Sequence, residues 1–245
     1  MISHKPKIGK GRHIRMKSSE LDVNVIQVNY ENENTLFSSV LCQPEAMGKL
    51  PAIVTIHGIF GLQEMDINFA RRLASLGYVV LAHGWQSKEK DPSDQDIVEG
   101  IRQAIEFFKE NERVDYNRLG LIGICRGGSI AMLSGANIEE LKVSVSFYGQ
   151  AYYPVLDHKK PVSPIDLADK VKIPMLFVHG EQDSIFDAQE SVDMCRALQV
   201  RGQIAEYKLY PEPGHGFFLK GHRNYHEQAS EDAWIILSKF LQGNL

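Results

Sequence analysis

Cysteine is scarce in this 245-residue chain, with three residues at positions 42, 125 and 195. None of the three falls in a Cys-x-x-Cys pair or a metal-ligand spacing. That argues against a disulfide framework or a zinc site and fits a reducing cytoplasm. No run reaches the 18 apolar residues that a membrane-spanning helix requires. Acidic residues are missing from the first 17 positions, which carry Lys5, Lys7, Lys10, Arg12, Arg15 and Lys17. No long apolar stretch follows those charges, as a secretory signal would need, and Pro6, Gly9 and Gly11 interrupt any amphipathic transit helix. Residues 1–19 therefore read as a basic, partly ordered lead-in. Beyond it, 21 basic residues face 31 acidic ones, a formal charge of about −10. So acidic a body is a poor partner for nucleic acid or an anionic membrane. Internal repeats, low-complexity tracts and linkers are absent too, and residues 20–245 read as one domain of a monomer or homodimer.

What the chain does have is a strand–helix alternation. Leu21 to Val28 alternates apolar and polar residues, the period of a half-buried strand, and Thr35 to Cys42 reads as its antiparallel hairpin partner across Asn-Glu-Asn. The pattern then changes to continuous apolar runs at 52–56, 78–82, 118–124, 143–148 and 175–178, with a more alternating run at 204–210. Short runs buried on both faces are what a parallel sheet demands. Between them, Met65, Phe69, Leu73 and Leu76 share a helical face, as do Ile97, Ile101, Ile105 and Phe108, and Ala229, Ala233, Ile236 and Phe240. Gly77 is placed to stop the first helix. The expectation is an α/β protein, a mostly parallel doubly wound sheet in three αβα layers with an N-terminal antiparallel hairpin.

In such sheets ligands bind at the carboxyl ends of the strands. Cys125 sits there in Gly123-Ile-Cys-Arg-Gly-Gly128, between the run 118–124 and a helix-like run. Glycines two before and two after it fit a nucleophile elbow, whose bend crowds those positions, and a helix N-terminus favours a thiolate. The triad order of this fold is nucleophile, acid, base. Asp183 follows the run 175–178 and His215 follows 204–210, so both fall where the order expects them. Histidine suits the base because its ordinary pKa is near neutrality, and the carboxylate fixes its tautomer. Glu181 and Asp187 are rival carboxylates nearby. His57-Gly-Ile-Phe-Gly61 follows the run 52–56, where a glycine-rich loop supplies an oxyanion donor; the backbone N–H groups of Ile59 and Arg126 are the candidates. His57, Trp85 and Phe217 are substrate-contacting candidates by position, with core packing the equal alternative for Trp85 and Phe217. His57, His83 and His179 each have a structural alternative, bonding loop backbone, and Cys42 and Cys195 read as small buried hydrophobes. Residues 150–164 read as either a packed loop or a lid.

Gly-x-Cys-x-Gly-Gly, the downstream Asp183 and Pro213-Gly-His-Gly-Phe217 together resemble the dienelactone hydrolase family of α/β-hydrolases, over residues 20–242. The resemblance implies the α/β-hydrolase fold and hydrolysis of a small ester or lactone through Cys125, His215 and Asp183, by way of an acyl thioester, with no metal or organic cofactor. Thioester hydrolysis and a non-catalytic binding role are the alternatives. Founding members of the family carry a glutamate before the Ile-Phe-Gly, where this chain has Gly58. They carry a carboxylate-binding arginine after the fourth strand, where this chain reads His83-Gly-Trp-Gln-Ser-Lys88. Lys88 and Arg126 are the cations left to clamp an anion.

Overall fold

The computed structural model describes residues 21–32 and 35–245. Its strands are β1 (Val23–Asn32), β2 (Thr35–Pro44), β3 (Leu50–Ile56), β4 (Val79–His83), β5 (Val114–Ile124), β6 (Leu141–Phe147), β7 (Met175–Gly180) and β8 (Ala205–Tyr210). They form one sheet in the order β1-β2-β4-β3-β5-β6-β7-β8. β1 and β2 pair antiparallel from Val23 opposite Pro44 to Asn32 opposite Thr35, and β2 joins β4 antiparallel. Every later pairing is parallel. The hairpin tip at 33–34 and the lead-in expected at 1–19 lie outside the described residues.

The helices are α1 (Glu64–Ala74), α2 (Asp94–Lys109), α3 (Arg126–Asn137), α4 (Gln189–Gln199) and α5 (Glu227–Asn244), with one 3-10 turn at Pro164–Leu167. Adjacent strand residues feed opposite cores. Ile53 and Val80 pack under Phe69 and Leu73 of α1 and Leu237 of α5, while Val54 and Leu81 pack under Ile97 and Ile101 of α2 and Ile130 of α3. Met175 and Phe177 of β7 meet Met194 and Leu198 of α4. This two-sided burial is why the central strands read as unbroken apolar runs. Each buried Leu, Ile or Phe contributes about 1.5–3 kcal/mol. β8 is an edge strand, half exposed, which accounts for its alternation. Among the described residues no helix is long and apolar enough to cross a membrane.

Three local expectations are corrected. α1 ends at Ala74, so Leu76 lies beyond it, 38% exposed. Gly77 does act near this stop: it takes φ +100° and its N–H bonds the Ala74 carbonyl. β7 runs two residues past the expected 175–178, to Gly180, so His179 is its penultimate residue. α4 was not anticipated, because its inward face mixes Ser191 and Cys195 with Val192, Met194 and Leu198. Cys42 and Cys195 are fully buried, and burial pushes their thiols up to about 12 and about 11.

Candidate active site

Cys125 alone makes the turn from β5 into α3, with φ 57° and ψ −116°. A side chain in that region costs about 1–3 kcal/mol and persists only when its surroundings hold it there. Here the Cys125 N–H donates to the Phe147 carbonyl at 3.0 Å, and the Cys125 carbonyl accepts from the Gly128 and Ser129 N–H groups. A Cβ on Gly123 would stand 1.8 Å from the Gly127 carbonyl oxygen, and one on Gly127 would stand 2.2 Å from that of Ile56. The bend therefore excludes any side chain at either position.

His215 and Asp183 meet at this elbow. His215 Nδ1 lies 2.7 Å from Asp183 Oδ2, and the Cys125 side chain is close enough to the same ring to raise its pKa. A carboxylate only accepts, so Nδ1 carries the proton toward Asp183 and Nε2 is left for the sulfur. Burial works against the imidazolium, but the bond to Asp183 and the nearby Cys125 outweigh it and raise His215 to about 9. Asp183 Oδ1 accepts the Ile185 and Phe186 N–H groups at 2.8 and 3.0 Å. Burial disfavours the Asp183 carboxylate, yet the bonds from His179 and His215 hold it well below the usual carboxylate range. The rivals do other work: Glu181 is exposed, and Asp187 accepts the Gln189 N–H at the start of α4.

Two neighbours escaped the sequence reading. His179 bonds no loop backbone; its Nε2 lies 3.0 Å from the same Asp183 Oδ2, and its Nδ1 accepts from the Ser191 hydroxyl at 2.8 Å. The spacing of four residues in His179-Gly-Glu-Gln-Asp183 was the available signal. Tyr148, with φ 39° and no exposure to speak of, sets its ring edge-on to His215 at 4.9 Å between centroids. Nothing in a lone tyrosine after a strand advertises that. His83 likewise bonds a side chain, the Tyr30 hydroxyl, rather than loop backbone.

The glycine-rich loop lies against the nucleophile, since a Cβ on Gly58 would be 3.4 Å from Cys125 Cβ and 3.8 Å from the sulfur. Ile59 follows, its carbonyl held by the Gln86 side-chain amide at 3.1 Å. Arg126 opens α3, where a backbone N–H has no intrahelical acceptor. Trp85 donates its indole N–H to the His57 carbonyl and stacks on the His57 ring, with centroids 5.1 Å apart. His57 Nδ1 turns to the Gly58 carbonyl, and burial lowers the ring to about 4. Phe217 is enclosed between Tyr148 and Tyr210. His57, Trp85 and Phe217 are at most 3% exposed, so in this structure they brace the site from behind and present no surface to a ligand.

The Arg126 side chain is buried and committed. Its Nη2 lies 2.6 Å from Asp94 Oδ1 and its Nη1 donates to the Tyr153 hydroxyl at 2.9 Å. Asp94 is set by α2, whose N-cap Ser93 exchanges bonds with Asp96. The segment 150–164 is anchored at its ends and exposed between them: Ala151, Tyr153, Ser163 and Pro164 are buried, Glu190 accepts the Ala151 and Tyr152 N–H groups at 2.6 and 2.9 Å, and Ser163 Oγ accepts that of Tyr153, while residues 154–158 are exposed.

A cleft of about 740 Å³ lies elsewhere, between α1, the start of β1 and the 218–225 segment, and neither a thiol nor an imidazole lines it. Among the described residues no group of three or more His, Cys, Asp or Glu side chains is arranged to hold a metal ion. The model of the dienelactone hydrolase family matches residues 37–98 and 82–245. The chain belongs to the dienelactone hydrolase family. It is 31% identical to a Salmonella typhimurium protein named "Putative carboxymethylenebutenolidase", over 76% of this chain and 75% of that one. It is 26% identical to a Bradyrhizobium "Probable 2-oxo-3-(5-oxofuran-2-ylidene)propanoate lactonase", over 94% of this chain and 98% of that one. In fold it resembles a Klebsiella pneumoniae structure titled "Putative Dienelactone Hydrolase", with TM-score 0.81, 24% identity and coverage of 89% and 98%.

Gly58 and its loop, residues 57–61, carry no carboxylate, so none reaches the thiol from there. Trp85 and Gln86, after β4, are both tied to that loop.

Proposed function

We propose that this chain hydrolyses small carboxylic esters or lactones, with Cys125 as nucleophile, His215 as general base and acid, and Asp183 holding the His215 ring. The observation that carries the reading is a thiol on a strained strand-to-helix turn beside an imidazole that Asp183 holds at 2.7 Å. His215 takes the thiol proton, and the sulfur attacks the carbonyl carbon. The oxyanion is met by the backbone N–H groups of Ile59 and Arg126, each worth roughly a hundred- to a thousandfold in rate. His215 then protonates the departing alcohol oxygen, leaving an acyl thioester on Cys125. Water attacks that thioester and gives a proton to His215, which returns it to the leaving sulfur as the carboxylic acid departs. A nucleophilic thiol, beside two other free cysteines, suits a reducing cytoplasm.

The test is turnover of short-chain aryl esters, lactones, dienelactones and matching thioesters, run beside two variants. Cys125→Ala should lose roughly a thousandfold or more, whereas Cys125→Ser should keep measurable activity because the elbow and its donors do not depend on sulfur. Intact-mass spectra of quenched wild-type reactions should show the acyl group on the protein. Wild-type rates from Cys125→Ala would remove Cys125 from the reaction.

A further inference from the structure

The loops that carry the neighbours of Cys125 and His215 expose large apolar side chains. Phe60 is 73% exposed and Ile59 half exposed, directly after Gly58, which lies against Cys125. In the loop after β7, Ile185 is 61% exposed, one residue from Phe186, whose ring stands edge-on to His215 at 5.4 Å. Val155 and Leu156 are exposed in the loop after β6, which is tied through Glu190 to the segment carrying Ile185. Single exposed hydrophobics are ordinary, whereas several carried by the loops that hold one thiol and one imidazole mark something that binds there. The nearest cation of the elbow, Arg126, already faces Asp94.

We infer that this rim is the specificity surface of the reaction proposed above, and that it takes the hydrocarbon portion of an uncharged, medium-chain ester, with Phe60 and Ile185 as its two walls. The inference rests on that reaction for its position, but its chemistry is separate. Each methylene moved from water onto the rim should raise kcat/KM by about two- to fourfold, the range expected for partial to full burial. Water-soluble esters with small acyl and alkoxy groups should therefore be poor substrates beside their four- to six-carbon homologues.

The experiment measures kcat/KM over acetate, butanoate and hexanoate aryl esters, and over a matching series in the alcohol, for wild type, Phe60→Ser, Ile185→Ser and Ile235→Ser. Ile235 is equally exposed but lies on α5, away from the site. The hexanoate-to-acetate ratio should be tenfold or more in wild type and in Ile235→Ser, and should fall severalfold in Phe60→Ser and Ile185→Ser. Flat ratios in both wild-type series, or ratios that the rim variants leave untouched, would overturn it. So would a dimer that Phe60→Ser dissociates in sedimentation while the ratio stays put, since the rim would then be a subunit contact. If wild type turns over no ester, the proposed reaction fails, and the rim is judged by calorimetric affinity of Cys125→Ala for the same hexanoate and acetate esters. Equal affinities there would end it.

Discussion

One carboxylate oxygen, Asp183 Oδ2, holds two imidazoles, at 2.7 Å from His215 and 3.0 Å from His179. Only His215 reaches the thiol; His179 is wholly buried and locked to Ser191, so it works as a strut that keeps the carboxylate aimed. The consequence for His215 is thermodynamic as well as kinetic. Its pKa rises from 6.5 to about 9, against the pull of burial, through its bond to Asp183 and the nearby Cys125. A group that binds its proton more tightly when folded stabilises the fold fully below its unfolded value and loses that contribution as pH rises through the folded one. The melting-temperature advantage of wild type over His215→Gln should therefore be greatest near pH 6 and narrow steadily as the pH is taken through 9. The comparison cancels groups common to both proteins. A gap that stays constant from pH 6 to 10 would mean that the fold does not favour the imidazolium.

Three elements converge on Arg126: α3 supplies it, α2 supplies Asp94, and the segment after β6 supplies Tyr153. The pair is shielded on both sides, with side-chain exposures of 8% and 6%. Burial raises Asp94, while Arg126 beside it works the other way. Removing one member of such a pair leaves an unpaired buried charge and costs about 3–5 kcal/mol, whereas replacing both by apolar groups of similar size can be neutral. Asp94→Ala should show that loss in urea unfolding, and Asp94→Leu combined with Arg126→Met should regain most of it. A single variant less than 1 kcal/mol below wild type would mean that the pair does not hold these elements together. This contact also explains what the sequence could and could not convey. The elbow glycines, the strand-end positions of Asp183 and His215 and the two-sided strands were legible, because backbone sterics and burial write them into neighbouring residues. Arg126–Asp94 and the edge-on contact of Tyr148 with His215 join residues through tertiary contact, and a single chain carries no local mark of them, whereas Asp183–His179 left only its four-residue spacing. α4 was hidden for another reason: a helix whose buried face includes Ser191 and Cys195 shows little apolar period.

At the scale of the whole molecule the charge is unevenly placed. The chain carries −4 overall, and the part beyond the first 17 residues about −10. No long-range field therefore draws an anion to the site, and the field that exists repels one. At short range an anionic group needs a paired cation, ideally a bidentate arginine, or it meets a desolvation penalty of several kcal/mol. After β4, Trp85 and Gln86 brace the glycine-rich loop, and Arg126 is spent on Asp94. Both ranges favour a neutral substrate. A neutral ester should exceed an anionic dienelactone of similar size in kcat/KM by about tenfold or more, the worth of one unpaired charge at a partly desolvated site. Salt separates the two causes. Screening at high ionic strength should relieve the long-range repulsion, so kcat/KM for the anion should rise between low salt and half-molar salt while that for the neutral ester holds steady. The gap should narrow without closing, because salt does not supply a paired cation at short range. An anion that outruns the neutral ester tenfold, with the advantage lost in Lys88→Ala, would place a working clamp on the loop after β4 and overturn the preference.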